Sequence, residues 1–165
     1  MAEPIKTVAV LVANPALSSI LSMTLAGASS LRVRPFETQL ALTTYLHLAP
    51  ADLVVADFDS VPSRADRLAQ DLKADRGIAS RNLQIIALAS AVTAETKRAS
   101  IDAGIDEIIM KPMSPKYLVE RVLARLANKK PAMKPERMQS LRRRDWSSYG
   151  DNVVPMRRRE PEPQL

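Results

Sequence analysis

Short apolar runs rich in β-branched residues recur along the first three quarters of the chain. Continuous runs of this kind are typical of strands buried on both faces of a sheet, because a half-exposed strand would alternate apolar with polar positions. Together with the segment 31–36 they predict five strands, over residues 7–13, 31–36, 52–56, 83–88 and 106–110.

Amphipathic stretches separate these runs, with apolar residues recurring every three or four positions. The first stretch begins at Asn14-Pro15, where proline suits the first helical turn, and ends near Gly27. The others extend over residues 38–48, 65–76, 93–103 and 114–127. Five strands alternating with five helices predict an α/β fold, a five-stranded doubly wound parallel sheet of the flavodoxin-like type with right-handed connections.

The composition indicates one domain of ordinary size with an aliphatic core. Of the 165 residues 46% are hydrophobic but only 4% are aromatic. We therefore expect the methionines, Met23, Met110 and Met113 among them, to pack in the interior. The absence of cysteine excludes disulfides and thiolate chemistry and is compatible with the cytoplasm. No apolar run approaches membrane-spanning length, so we expect a cytoplasmic protein without membrane insertion.

The net charge of +6 is distributed unevenly and predicts two parts. Residues 1–127 carry 14 Lys and Arg against 13 Asp and Glu, whereas residues 128–165 carry 10 against 5. The second part is also polar and interrupted by proline, so we expect it to be disordered, since it buries too little apolar surface to order itself. We predict a domain over residues 5–127 and a linker with a basic tail over 128–165. The excess positive charge of the tail favours an anionic partner.

Polar residues follow the predicted strands, at the edge of the sheet where functional groups collect in this fold class. Asp57 comes directly after DLVVA, Ala89-Ser90 follow the fourth strand, and Lys111-Pro112 close DEIIMKP. In these marks residues 5–127 resemble the receiver domain of bacterial response regulators, close to the CheY-like chemotaxis type. The resemblance implies that Asp57 occupies the phosphoacceptor position and that Lys111 is its basic partner.

The chain departs from the receiver pattern at several positions that phosphorylation requires. The acidic pair that holds Mg²⁺ in the family is replaced by Val12 or Ala13, with Asn14 beside them, and the hydroxyl after the fourth strand is replaced by Ala89. Ser90 comes one place late, and Pro62 is displaced from its usual spacing. One carboxylate holds Mg²⁺ poorly, and phosphoryl transfer needs a cation to offset charge. We therefore interpret Asp57 and Lys111 as a vestigial phosphoacceptor site, a structural ion pair that binds no metal.

The tail contains RRRDWSSYGDNVVPMRRR, which gathers guanidinium, aromatic and carboxylate groups. An Arg fork can bind the O6/N7 edge of guanine or a phosphate, an aromatic ring can stack on the base, and an Asp can accept from N1–H and N2–H. A glycine permits a tight turn between the stacked elements. The candidate ligand-binding residues are Arg142, Arg143, Arg144, Asp145, Trp146, Tyr149, Gly150, Asp151, Arg157, Arg158 and Arg159.

This motif, attached to a degenerate receiver, resembles the arginine-rich extension of the Cle family of alphaproteobacterial cyclic di-GMP effectors. The resemblance implies cyclic di-GMP as the ligand, bound singly or as an intercalated dimer, with no further cofactor. It also implies the flagellar motor switch as the partner, contacted through the last helix and strand of the receiver at the flagellated pole. The expected output is a slower flagellar motor, which favours surface attachment over motility.

Two other functions remain open from the residues alone. The chain could be a single-domain response regulator that is phosphorylated on Asp57, or a basic-tailed module that binds nucleic acid. Acyl-phosphate labelling tests the first, and a steep dependence on salt without preference for guanine would indicate the second. We expect no enzymatic activity, because the sequence contains no Ser/His/Asp set, no cluster of metal ligands and no Gly-rich phosphate loop.

Overall fold

The computed structural model describes residues 3–60 and 63–127, and the backbone of residues 153–155. Within them, five parallel strands are ordered β2-β1-β3-β4-β5. These strands are β1 (Lys6–Leu11), β2 (Leu31–Phe36), β3 (Leu53–Asp57), β4 (Gln84–Ala89) and β5 (Glu107–Met110). The predicted five-stranded, flavodoxin-like fold is confirmed, with boundaries shifted by one or two residues.

Helices cover the sheet on both faces, as the continuous apolar strands require. They are α1 (Pro15–Ala26), α2 (Gln39–Leu48), α3 (Ala65–Ala74), α4 (Ala94–Ala103) and α5 (Pro115–Ala127). One core layer joins α1 and α5 to the sheet through residues such as Leu21, Leu25, Leu118 and Val122. The opposite layer joins α2, α3 and α4 through residues that include Leu42, Leu68 and Ala103. Alternate residues of the central strands enter opposite layers, so the strands are buried on both sides.

Short polar residues cap the starts of four helices, and Ser114 does so for α5 by accepting the backbone N–H of Tyr117. Asn14 Oδ1 accepts hydrogen bonds from the backbone N–H groups of Ala16 and Leu17, at 3.0 and 3.2 Å. Thr38 and Thr93 cap α2 and α4 in the same way. Such caps satisfy N–H groups that have no partner within the helix. Helix α4 ends at Gly104, whose φ of 79° lies in the left-handed region that favours glycine.

A sixth strand corrects the expectation that the chain beyond residue 127 lacks order throughout. β6 (Val153–Pro155) pairs antiparallel with β5, with Val154 opposite Ile108 and Pro155 opposite Glu107. The physical reason is the outer edge of β5, which presents unpaired N–H and C=O groups that an extended β-branched segment can bond. The only sequence evidence for this strand is the pair Val153-Val154, and so short a β-branched run cannot be distinguished from a loop.

The edge strand β5 is also tied to α5 by a buried charge cluster. Glu107 is completely buried, and its carboxylate accepts hydrogen bonds from Arg121 Nε at 2.6 Å and from Arg125 Nε at 2.5 Å. Arg125 also donates to the carbonyl of Asp106 at 2.8 Å. A buried carboxylate is costly unless it is paired and hydrogen-bonded, which explains the two guanidinium partners. The cluster therefore holds α5 against the end of the sheet.

The expectation that the methionines pack in the core is wrong for Met23. Its side chain is 76% exposed on α1, and Ile20 one turn before it is also exposed. The helix buries Leu21 and Leu25 instead. Among the described residues, no helix is long and apolar enough to cross a membrane.

We predict that a chain ending at residue 128 still unfolds cooperatively. Five strands and five helices are complete by Ala127, and within the described residues the truncation removes only the pairing of β6. Each backbone hydrogen bond contributes roughly 0.5–1.5 kcal/mol net, so the free energy of unfolding should fall by about 1–3 kcal/mol. Urea unfolding followed by circular dichroism measures this. A molten or insoluble product would show that the tail belongs to the core.

Candidate functional site

The carboxyl ends of β3, β4 and β5 bring the candidate polar residues together. Asp57 is the last residue of β3, Ser90 follows β4 and Lys111 follows β5. Backbone hydrogen bonds hold these ends in register, from Phe58 N to Leu88 O at 2.7 Å and from Lys111 N to Ala89 O at 2.8 Å. Residues distant in sequence therefore meet at one edge of the sheet, as the fold class predicts.

Lys111 forms the expected ion pair with Asp57. Its Nζ donates to both carboxylate oxygens of Asp57, at 3.0 and 3.1 Å. The Asp57 carboxylate is nearly buried and also accepts the backbone N–H of Asp59 at 2.9 Å. The pair thus joins the ends of β3 and β5. Whether Asp57 accepts a phosphoryl group stays a prediction.

Asp59 and Ser90 complete this site, and the sequence analysis missed both roles. Asp59 Oδ2 lies 3.0 Å from Lys111 Nζ and accepts both the Ser90 N–H at 2.8 Å and the Ser90 hydroxyl at 2.7 Å. The available signal was the second carboxylate two residues after Asp57, at the same carboxyl end of β3 where functional groups collect in this fold class. Ser90, which seemed one place late to serve Asp57, bonds Asp59 instead.

The pKa values of this site follow from the same contacts. Burial alone would raise the pKa of Asp59, but hydrogen bonds from Ser90 and Lys111 outweigh it and hold the pKa below its usual value. Burial alone would lower the pKa of Lys111, but its hydrogen bonds to Asp57 and Asp59 raise it above the ordinary value. The ammonium and the Asp59 carboxylate are therefore both charged at neutral pH.

The site does not fit the Mg²⁺ ion that receiver domains imply. Val12 is buried, and the side-chain oxygen of Asn14 is occupied in capping α1. Over residues 3–60 and 63–127, no group of three or more His, Cys, Asp or Glu side chains could hold a metal ion. The Lys111 ammonium already offsets charge between the two carboxylates.

An open groove of about 500 Å³ adjoins the site on the side of α4. Phe58, Asp59, Ser90 and Glu95 are among the residues that line it. The guanidinium of Arg64 lies 4.8 Å from the centre of the Phe58 ring and pairs with Asp66. The groove gives solvent a path to the Asp59 carboxylate, whose side chain is 42% exposed.

The predicted ligand-binding residues of the tail, 142–146, 149–151 and 157–159, lie outside the described residues. The structure places only the strand between the two Arg triplets. Val153 follows Asp151 by two positions in the sequence, and Pro155 precedes Arg157 by two. The contacts of the tail's candidate ligand-binding residues with a nucleotide stay predictions.

Comparisons with known proteins identify the fold. No protein-family model matches the chain, and no curated protein does. Solved structures of response regulators do match. A CheY-like receiver domain protein from Methanospirillum hungatei JF-1 is 18% identical, with a TM-score of 0.66, and the match covers 75% of this chain and 95% of that one. The chemotaxis protein CheY4 of Vibrio cholerae is 15% identical, with a TM-score of 0.66 and coverage of 73% and 98%.

An orphan response regulator of H. pylori is similar to the same degree, at 20% identity, a TM-score of 0.62 and coverage of 73% and 96%. The similarity thus includes nearly the whole of each of these three structures. At these identities it shows the fold alone, which is that of CheY-like response-regulator receiver domains. Function depends on the residues at the site rather than on the fold.

We predict that Asp59 stabilises the fold in a pH-dependent way. Because its folded-state pKa lies below the ordinary value of 3.8, its contribution is fully present above that value and is lost as the pH falls through the folded-state pKa. Wild type should therefore exceed Asp59→Asn in stability at pH 5–7, and the difference should shrink below about pH 4. Urea unfolding across this range measures it.

Ser90→Ala serves as the matched variant for this prediction, because it removes the hydroxyl that bonds Asp59 and leaves the charges unchanged. It should show a smaller loss of stability with the same direction of pH dependence. A difference between wild type and Asp59→Asn that stays constant from pH 7 to pH 2 would contradict the assignment.

Proposed function

We propose that this protein is a non-enzymatic signalling adaptor whose input is cyclic di-GMP bound by the arginine-rich tail. The proposal rests on the side-chain contacts at the carboxyl edge of the sheet. Lys111 is engaged by Asp57 and Asp59 together, and the positions that would supply Mg²⁺ ligands are apolar or used as a helix cap. We therefore infer that this site is poorly suited to phosphorylation, and that ligand binding by the tail supplies the signal instead.

The chemistry of the tail supports guanine as the recognised base. Six Arg residues in two triplets supply forks for phosphates and for O6/N7 edges, and Trp146 and Tyr149 supply faces for stacking. Asp145 and Asp151 supply acceptors for the N1–H and N2–H pair, which adenine lacks. A purely electrostatic tail would use Lys equally well, whereas Arg predominates here.

The strand β6 supports a connection between this tail and the receiver body. It pairs with β5, and β5 is held by Glu107 to Arg121 and Arg125 of α5. The two Arg triplets flank β6 in the sequence. A ligand that orders these residues would therefore act on the strand and, through it, on the β5–α5 face.

We propose that this face docks on the flagellar motor switch, with recruitment to the flagellated pole and slower motility as the output. Linkage requires reciprocity: if cyclic di-GMP raises the affinity for the partner, the partner must raise the affinity for cyclic di-GMP by the same factor. The proposal of this partner rests on the family resemblance of the tail.

We predict that the full chain prefers cyclic di-GMP over cyclic di-AMP by about a hundredfold or more. Both ligands carry two phosphates, so only the base edges differ, and each bidentate pair contributes roughly 1–3 kcal/mol of discrimination. Calorimetric titration with both ligands at two salt concentrations measures it. Binding should be exothermic with unfavourable entropy, because the tail must be ordered.

Three controls separate the contributions to this preference. Trp146→Ala should weaken binding by about the stacking contribution, roughly 1–3 kcal/mol. Asp145→Ala should reduce the preference for guanine more than the affinity for phosphate. A chain ending at residue 128 should not bind. Equal affinities for the two ligands that fall together with salt would indicate a polyanion binder, consistent with nucleic acid as the ligand.

We further predict that Asp57→Asn leaves signalling nearly unchanged. The charged pair with Lys111 would be lost, but the proposed input does not pass through Asp57. Motility and acyl-phosphate labelling measure the effect. Strong Mg²⁺-dependent labelling of wild type that the substitution abolishes would favour the alternative, a single-domain response regulator phosphorylated on Asp57.

A further inference from the structure

Three hydrogen-bond donors at the carboxyl edge converge on one carboxylate oxygen. The Ser90 N–H, the Ser90 hydroxyl and the Lys111 ammonium lie 2.8, 2.7 and 3.0 Å from Asp59 Oδ2. An ammonium, a hydroxyl and a backbone amide directed at one point are a set of donors that binds an oxyanion. In this chain the oxyanion at that point is a side chain of the protein.

We propose that Ser90 and Lys111 form an oxyanion-binding subsite that the Asp59 carboxylate fills permanently, closing it to external oxyanions. This role is independent of the ligand of the tail. It explains why Asp59, with a side chain 42% exposed, remains directed at the site rather than into solvent. Asp59 acts as a positioning residue that takes the place of a bound anion.

The charges at the edge support a closed subsite. Asp57 and Asp59 carry two negative charges against the single positive charge of Lys111, so the cluster has a net charge of −1. A phosphate dianion is repelled by this net charge and finds all three donors occupied. Removal of the Asp59 carboxylate would make the cluster neutral and free the donors, and the adjoining groove would admit the anion.

The filled subsite also has a structural consequence. Asp59 ties the end of β3 to the loop that leads from β4 into α4, and Lys111 adds the end of β5. Three strand ends and the approach to α4 are therefore held together without any modification of the protein. These contacts stabilise the arrangement of the carboxyl edge that the structure shows.

The test compares Asp59→Ala with Asp59→Asn in the full chain. Alanine empties the subsite, whereas asparagine removes the charge but keeps an acceptor oxygen in place. The probe is inorganic phosphate, with sodium chloride at equal ionic strength as the control, and thermal unfolding is the readout. Phosphate should stabilise Asp59→Ala saturably, at concentrations at least about tenfold below any at which it stabilises wild type, the equivalent of one charge-assisted hydrogen bond.

Wild type and Asp59→Asn should show no saturable response to phosphate. Adding Lys111→Met to Asp59→Ala should abolish the response, because the ammonium is one of the three donors. Should Asp59→Ala be too unstable to melt cooperatively, Asp59→Ser gives the same expected response. Phosphate that stabilises wild type as much as the emptied variant, or fails to stabilise either Asp59→Ala or Asp59→Ser beyond chloride, would overturn the proposal.

Discussion

A sheet covered by helices on both faces can place polar side chains only at its edges, and this constraint governs the molecule. The central strands β1, β3 and β4 are almost entirely buried. Among the described residues, the buried charged groups of the strands therefore lie at the carboxyl edge, where Asp57 pairs with Lys111, or at the lateral edge, where Glu107 pairs with two arginines of α5. Each group is paired there, since an unpaired buried charge would destabilise the fold.

The carboxyl edge combines a receiver fold with polar side chains that are paired with one another within the chain. Asp57 and Lys111 form an ion pair there, with Lys111 Nζ 3.0 Å from Asp57 Oδ1. Nearby, Asn14 caps α1, Val12 is buried, and Asp59 accepts the hydrogen bonds of Ser90. The fold persists because it depends on the aliphatic layers, which none of these residues disturbs.

The lateral edge makes the tail part of the fold at one point. β5 would otherwise expose unpaired backbone groups, and β6 satisfies them over three residues. Because β6 lies between the two Arg triplets in sequence, the proposed ligand of the tail and the proposed partner at the β5–α5 face would share this structural element. Coupling between two sites requires such an element, with an arrangement that both sites can bias.

The sequence by itself determined the five parallel strands, the five helices and their sequence positions, because periodicity and capping residues are local signals. It also indicated Asp57 and Lys111. Only the tertiary structure showed which residues interact. Asp59 accepts the Ser90 hydroxyl, Glu107 pairs with two arginines of α5, and Val153–Pro155 pairs with β5. The exposure of Met23 was decided there too. These interactions join residues that are 14 to more than 40 positions apart in the sequence. Local sequence patterns carry no information about such long-range contacts.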